Sequence, residues 1–181
     1  LKKTNIFGIF FISTQPLEKK KFLNVHKIHL LIGKIKGNIL LKQLNFLVKP
    51  YMIDTTKKKI FKKIAYNSQN DLSSIKIFKQ TLNYFISSKY RNNIINKLVN
   101  LNKINLSIKK FYLSLNQARE MEKNGMMIGA HTFSHEVLSN LSYNEQKKEI
   151  SKSTRFLSKK LGLKNFKTFC FPYGEKFTYN K

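Results

Sequence analysis

Between Ser114 and Tyr173 the sequence alternates helix and strand signals with their punctuation intact. Ser114 stands before Leu115-Asn116-Gln117-Ala118-Arg119-Glu120-Met121-Glu122-Lys123-Asn124, and Gly125 follows. A serine can accept from the first-turn amides of a helix, and glycine tolerates the left-handed conformation that ends one. Met126-Met127-Ile128-Gly129-Ala130 is then a short apolar run and predicts a buried strand. Ser142 caps a charged helix over residues 143–161, stopped at Gly162. Phe166-Lys167-Thr168-Phe169-Cys170-Phe171 predicts a further strand, running into Pro172-Tyr173-Gly174. Helix, strand, helix, strand at this spacing is the mark of βα units and a parallel sheet. Few other architectures fit.

The rest of the chain attaches to that frame in two pieces. Residues 6–12, Ile-Phe-Gly-Ile-Phe-Phe-Ile, end in Ser13-Thr14-Gln15-Pro16 and predict a strand buried on both faces. The competing reading is a signal peptide with Lys2-Lys3 as its basic end, although the apolar stretch is short and no clear cleavage site follows. Residues 18–112 differ in character. Their apolar residues recur at helical spacing, as in Phe22-Val25-Ile28-His29-Ile32, Ile60-Ile64, Ile75-Phe78-Leu82-Phe85 and Ile94-Ile95-Leu98-Leu101. Several amphipathic helices are expected, broken near Gly37 and Pro50. The expected organisation is therefore one domain in three parts: a strand and turn at 1–17, a Lys/Asn-rich helical insertion at 18–112, and a core segment at 113–181.

Charge is the property that most invites a different function. The 181 residues carry 35 Lys and Arg against nine Asp and Glu, a formal charge of +26. Such a balance suits a nucleic-acid binder. Only Arg91, Arg119 and Arg155 are arginine, however, and arginine dominates bidentate recognition of bases and phosphates. Lys, Asn, Ile and Phe share AT-rich codons, so nucleotide bias accounts for much of the charge. The excess is uneven along the chain: residues 1–112 hold 23 basic and three acidic residues, and residues 113–181 hold twelve and six. A lone Cys170 excludes an internal disulfide and a Cys-rich metal framework. No apolar run approaches the roughly 20 residues of a membrane-spanning helix.

His131-Thr132-Phe133-Ser134-His135 lies at the carboxyl end of the predicted strand, where parallel-sheet proteins keep their chemistry. Two His four apart on one helical turn would point the same way and could share one metal ion. The bland alternative is a pair of packing or surface His. Phe171-Pro172-Tyr173-Gly174 ends the next strand, and its loop can aim a backbone N–H into the same cleft, as an oxyanion hole requires. Its alternative is an ordinary turn rich in Pro and Gly.

Taken together, these residues resemble a polysaccharide deacetylase of carbohydrate esterase family four. The resemblance rests on residues 124–135, on Val137-Leu138-Ser139-Asn140-Leu141-Ser142, and on Phe169-Cys170-Phe171-Pro172-Tyr173-Gly174. Gly8-Ile9-Phe10-Phe11-Ile12 is also similar to the family's second strand. The resemblance implies an α/β fold, part of a distorted (β/α) barrel with a helical insertion. It implies a metal-dependent hydrolase acting on C–N bonds other than peptide bonds, removing acetyl groups, chiefly N-acetyl, from a poly- or oligosaccharide. His131 and His135 match the family's two metal-binding His, and zinc is its default ion. Thr132 and Ser134 fill supporting positions, and Tyr173 matches the residue whose backbone N–H contacts the oxyanion, with Pro172 and Gly174 shaping the loop. Nucleic acid is not expected as a partner; the alternative reading is a basic nucleic-acid-binding protein without enzymatic activity.

The departures are as informative. The family's Asp-Asp motif, which supplies the catalytic base and third metal ligand, has no counterpart here. The only two Asp, Asp54 and Asp71, fall in the predicted insertion. The Leu-x-His motif expected to bring the general acid is missing too, so neither base nor acid is assigned to this chain. Both motifs are expected beyond its ends, which makes it a piece of a longer protein, inactive by itself. Cys170 stands where many members have Arg; in its apolar strand it reads as a buried, inert thiol. His26 and His29 could meet a metal but read as packing or surface residues, and Glu136 and Glu175 read as solvated. Localisation, cytoplasmic or cell-envelope, and oligomeric state are left open by the sequence.

Overall fold

A computed structural model of the protein describes residue 4, residues 6–162 and residues 168–179. The chain divides into two compact units, Leu1–Leu23 with Leu106–Lys181, and Asn24–Asn105. The second lies inside the stretch 18–112 read from sequence as an insertion. Together they give a mixed α/β protein, mostly helical.

The first unit is built on two parallel strands, β1 (Ile9–Ile12) and β2 (Met127–Ala130), in register from Ile9 opposite Met127 to Ile12 opposite Ala130. The strand expected at 166–171 is reduced to a single parallel bridge between Phe169 and Ala130, and Phe166 and Lys167 lie outside the described residues. Ala130 N–H donates to the Thr168 carbonyl and Cys170 N–H to the Ala130 carbonyl, each at 2.9 Å. The expected barrel is not formed by the described residues. Two strands and a bridge supply no last strand to pair with the first, and closure needs that pairing. For the same reason β1 is not buried on both faces: Ile9 and Phe11 are exposed and Ile12 is buried.

Two helices lean on β2. Helix α8 (Leu115–Lys123) starts at Ser114, whose side chain accepts from Gln117 N–H while the Gln117 side chain accepts from Ser114 N–H. This reciprocal capping box satisfies two amides that a helix start leaves bare. Helix α9 (Tyr143–Leu161) repeats the device with Ser142 and Glu145, and ends on Gly162 at φ 75°. Ala118 from α8 and Leu157 from α9 meet Ile12, Leu17, Ile128 and Ala130 in the core. A Cβ on Gly129 would fall onto the Phe11 ring and force it to shift. Short helix α1 (Gln15–Lys19) follows β1. Residues 22–23, short helix α7 (Ile108–Phe111) and Tyr112 close the unit: Phe22 packs on Phe111 and Tyr112 with ring centroids 4.8 and 4.9 Å away. Leu23 N–H donates to the Tyr112 hydroxyl at 3.0 Å, and burial pushes that phenol up to about 12. The chain thus leaves and re-enters this unit at neighbouring points.

The second unit contains α2 (Asn24–Lys34), α3 (Gly37–Leu47), α4 (Thr55–Ile64), α5 (Ser73–Gln80) and α6 (Ser88–Leu101). The predicted breaks near Gly37 and Pro50 coincide with the start of α3 and with a 3₁₀ turn at Pro50–Met52. Gly37 is packed so closely that a Cβ would sit 2.6 Å from Ile75 Cδ1 and Ser74 Oγ. After α5 the helix widens into a π-turn at Thr81–Phe85. Buried Arg91 holds this turn, donating from Nε to the Leu82 carbonyl at 2.7 Å and from Nη2 to Asn83 Oδ1 at 2.8 Å. Asn83 Nδ2 in turn donates to the Tyr66 hydroxyl at 2.6 Å.

Candidate functional site

The carboxyl ends of β1 and β2 and the Phe169–Phe171 segment carry the loops of the site. Residues 131–135 are not a helical turn, as the four-residue spacing of the two His suggested. They form a tight loop in which Thr132 and His135 both have φ 60°. Left-handed backbone costs a residue with a Cβ about 1–2 kcal/mol, and it is rarer still for a β-branched side chain such as threonine. Strain of this kind persists only where surrounding contacts fix it. The two rings are brought together by this reversal rather than by helical periodicity. Their centroids are 4.7 Å apart, edge to face.

Four sets of contacts hold the loop. Residues just after β1 run beside it: Ser13 Oγ donates to the His131 carbonyl at 2.6 Å, Thr14 N–H to the Thr132 carbonyl at 3.3 Å, and Gln15 N–H to the Phe133 carbonyl at 2.9 Å. Inside the loop, buried Thr132 accepts the His135 N–H on its Oγ1 at 3.1 Å. From the third segment, the Cys170 carbonyl lies 2.9 Å from His131 Nδ1. From α9, Glu149 Oε2 accepts Ser134 N–H and Glu149 Oε1 accepts Ser134 Oγ–H, each at 2.8 Å. Three residues further along α9, Lys152 Nζ sits 3.5 Å from the Phe133 ring centroid and 3.5 Å from Glu18 Oε1.

The electrostatics follow from these contacts. A carbonyl can only accept, so His131 Nδ1 carries the proton and its Nε2 lone pair is left for another partner. Burial lowers the His131 pKa below its usual 6.5, with the Cys170 carbonyl opposing in part, so the ring is held neutral at neutral pH. Burial raises the Glu149 carboxyl above the usual carboxylate value; the Ser134 donors pull it back, and the charge of Glu136 adds to the rise.

The other residues singled out by sequence fall as follows. Tyr173 brings its ring to 5.4 Å from that of His135, edge to face, and its carbonyl accepts from Thr178 Oγ1 at 2.8 Å. Pro172 and Gly174 flank it, and space around Gly174 is open, so no contact there demands a glycine. Cys170 is half-buried rather than fully buried, and it matters here through its carbonyl. Glu136 is half-buried and close enough to influence Glu149, while Glu175 is exposed. His26 and His29 lie in the other unit, on α2, with ring centroids 6.4 Å apart. Among the described residues no three His, Cys, Asp or Glu side chains gather as a metal-binding group. No helix among them is long and apolar enough to cross a membrane.

The sequence reading missed Glu149. Its signal was an acid on the inward row of α9, in line with buried Ser153 and Leu157 at helical spacing.

Residues 78–181 match the family model described as polysaccharide deacetylase, which is more than half of the chain. The chain belongs to the polysaccharide deacetylase family. No curated protein and no solved structure matches it. The deacetylase match includes both His131–His135 and Pro172–Gly174. It does not reach β1, although β1 is the parallel partner of the strand that carries the two His.

Proposed function

We propose that this protein is a metal-dependent deacetylase that removes acetyl groups, N-acetyl above all, from a poly- or oligosaccharide. A distorted (β/α) barrel is the fold that goes with this reading. The observation that carries it is the convergence, at the strand ends of a polysaccharide deacetylase family member, of a pinned neutral imidazole, a second imidazole and the Tyr173 loop.

The donor set suits a cation of the zinc class. Two imidazoles are its commonest nitrogen ligands, and a ligating His usually donates its other N–H to a carbonyl or carboxylate, as His131 does to Cys170. In this reading His131 and His135 hold the ion. When bound, it supplies Lewis acidity toward an acetyl carbonyl and lowers the pKa of water. The chain's own residues do the rest of the positioning. The Cys170 carbonyl fixes the tautomer of His131, Thr132 fixes the backbone of His135, and Ser134 anchors the loop to α9. The Tyr173 N–H is the oxyanion donor, with Pro172 and Gly174 setting the loop that presents it. No residue of this chain is assigned the general base or the general acid.

Acetate release from an N-acetylated amino-sugar oligomer, assayed with zinc and the full-length protein, tests the proposal. His131→Ala and His135→Ala are each expected to lose about 100-fold or more, since loss of a ligand exceeds the effect of an outer partner. No acetate from the wild-type protein, or an undiminished rate in both variants, overturns it.

A further inference from the structure

Each oxygen of the Glu149 carboxylate accepts from Ser134, in the middle of a strained loop, and the Phe133 backbone adds to the same carboxylate's stabilisation. Glu149 is half-buried, and a carboxylate withdrawn from water needs donors, which Ser134 supplies. Its two acceptors meet the two donors that Ser134 offers, the backbone N–H and the hydroxyl. Ser134 is bonded directly to His135, whose φ is 60° and whose own N–H is tied back to Thr132 Oγ1. The residues after β1 and helix α9 thus hold the loop from two of its sides, with the Cys170 carbonyl on a third. The α9 side holds Ser134, the residue next to His135.

We propose that Glu149 is a positioning residue of the His131/His135 site. Its carboxylate locks Ser134, and through it His135, in the one backbone arrangement that turns both imidazoles toward a shared cation. The proposal rests on the metal-site reading above. Lys152 assists from one turn along α9 by covering the Phe133 ring, so the helix grips two consecutive loop residues. The nearest isostere, glutamine, keeps the volume but replaces two hydrogen bonds to an anion by two neutral ones, its carbonyl accepting the Ser134 N–H and its amide donating to the Ser134 hydroxyl oxygen.

Zinc alone is the probe, titrated against the full-length protein in competition with a chromophoric chelator. Glu149→Gln is expected to weaken zinc binding about 10- to 100-fold, the usual effect of losing a partner behind a ligand. Ser134→Ala should weaken it less, because it leaves the backbone N–H in place. The double variant should bind like Glu149→Gln alone, since the serine hydroxyl acts through that carboxylate. In the metal-free protein, exchange of the Ser134 amide should quicken in Glu149→Gln, whereas amides in the middle of α9 stay protected. A general weakening of the fold would speed both.

Wild-type affinity within threefold in Glu149→Gln, or effects that simply add in the double variant, overturn the proposal and leave the His site standing. A wild-type protein with no zinc binding sensitive to His131→Ala overturns the site reading and this inference with it. Should Glu149→Gln not fold, Ser134→Gly and Ser134→Ala carry the same comparison. Unchanged zinc affinity in both would count against the lock.

Discussion

At the scale of single residues, the site depends on a conformation that the residue types resist. Thr132 and His135 both sit at φ 60°, and neither is glycine. Local preference would not choose this loop; the bonds from Ser13, Thr14, Gln15 and Glu149 do. His131 shows how such an environment is measurable. Its pKa is lowered by burial, and the unfolded imidazole titrates near 6.5. Between the lowered folded value and about pH 6.5, the unfolded chain binds more protons than the folded one. Stability contributed at this residue therefore rises with pH across that window and is level above it. Denaturant unfolding of metal-free wild type and His131→Gln at about pH 5.5, 6.5 and 7.5 reads this directly. Wild type should gain on the variant from the first pH to the second, and then hold. A wild type that loses ground as pH rises through that window would contradict the burial of the neutral ring.

At the scale of elements, the capped helices were the most legible features. Ser114, Gly125, Ser142 and Gly162 mark helix ends by local chemistry, and α8 and α9 begin and end where those residues place them. What helical periodicity could not register was a change of helix type. Ile75, Phe78, Leu82 and Phe85 keep one spacing in sequence, yet the backbone widens to a π-turn at Thr81–Phe85. The turn is held from the next helix: Arg91 reaches back to the Leu82 carbonyl and to Asn83. Arg91→Leu removes both bonds and leaves the carbonyl without its donor. Hydrogen bonds to a charged group contribute about 1.5–3 kcal/mol each, so a loss of roughly that size or somewhat more is expected. Chemical denaturation measures it. A change of less than about 0.5 kcal/mol, the usual surface value, would show that the turn forms without Arg91.

At the scale of the whole molecule, the structural boundaries redistribute the charge. Reading along the sequence puts most of the excess before residue 113. The unit Asn24–Asn105 holds 16 basic and two acidic residues, and the remainder holds 19 and seven, giving net charges of +14 and +12. The excess is therefore shared almost evenly. A charge excess dominated by lysine favours diffuse attraction to polyanions over bidentate recognition. Binding to DNA should fall steeply between about 50 and 200 mM salt, as counterion release requires. It should not distinguish sequences. A tight complex that survives the higher salt and prefers one sequence would contradict this.

The sequence by itself determined the helix ends of α8 and α9, the positions of β1 and β2 and the order of the two motifs, because capping, apolar runs and turn chemistry are local. The His131–Ser134–His135 pattern was legible for the same reason: its residue types suit ligation wherever the backbone places them. Only the tertiary structure decided how the two imidazoles meet. Their approach comes from a left-handed loop, not a helical turn, and that loop is stabilised by groups as far away as Ser13 and Glu149. No local pattern encodes such partners, since their contribution arises only when β1, β2 and α9 are packed together.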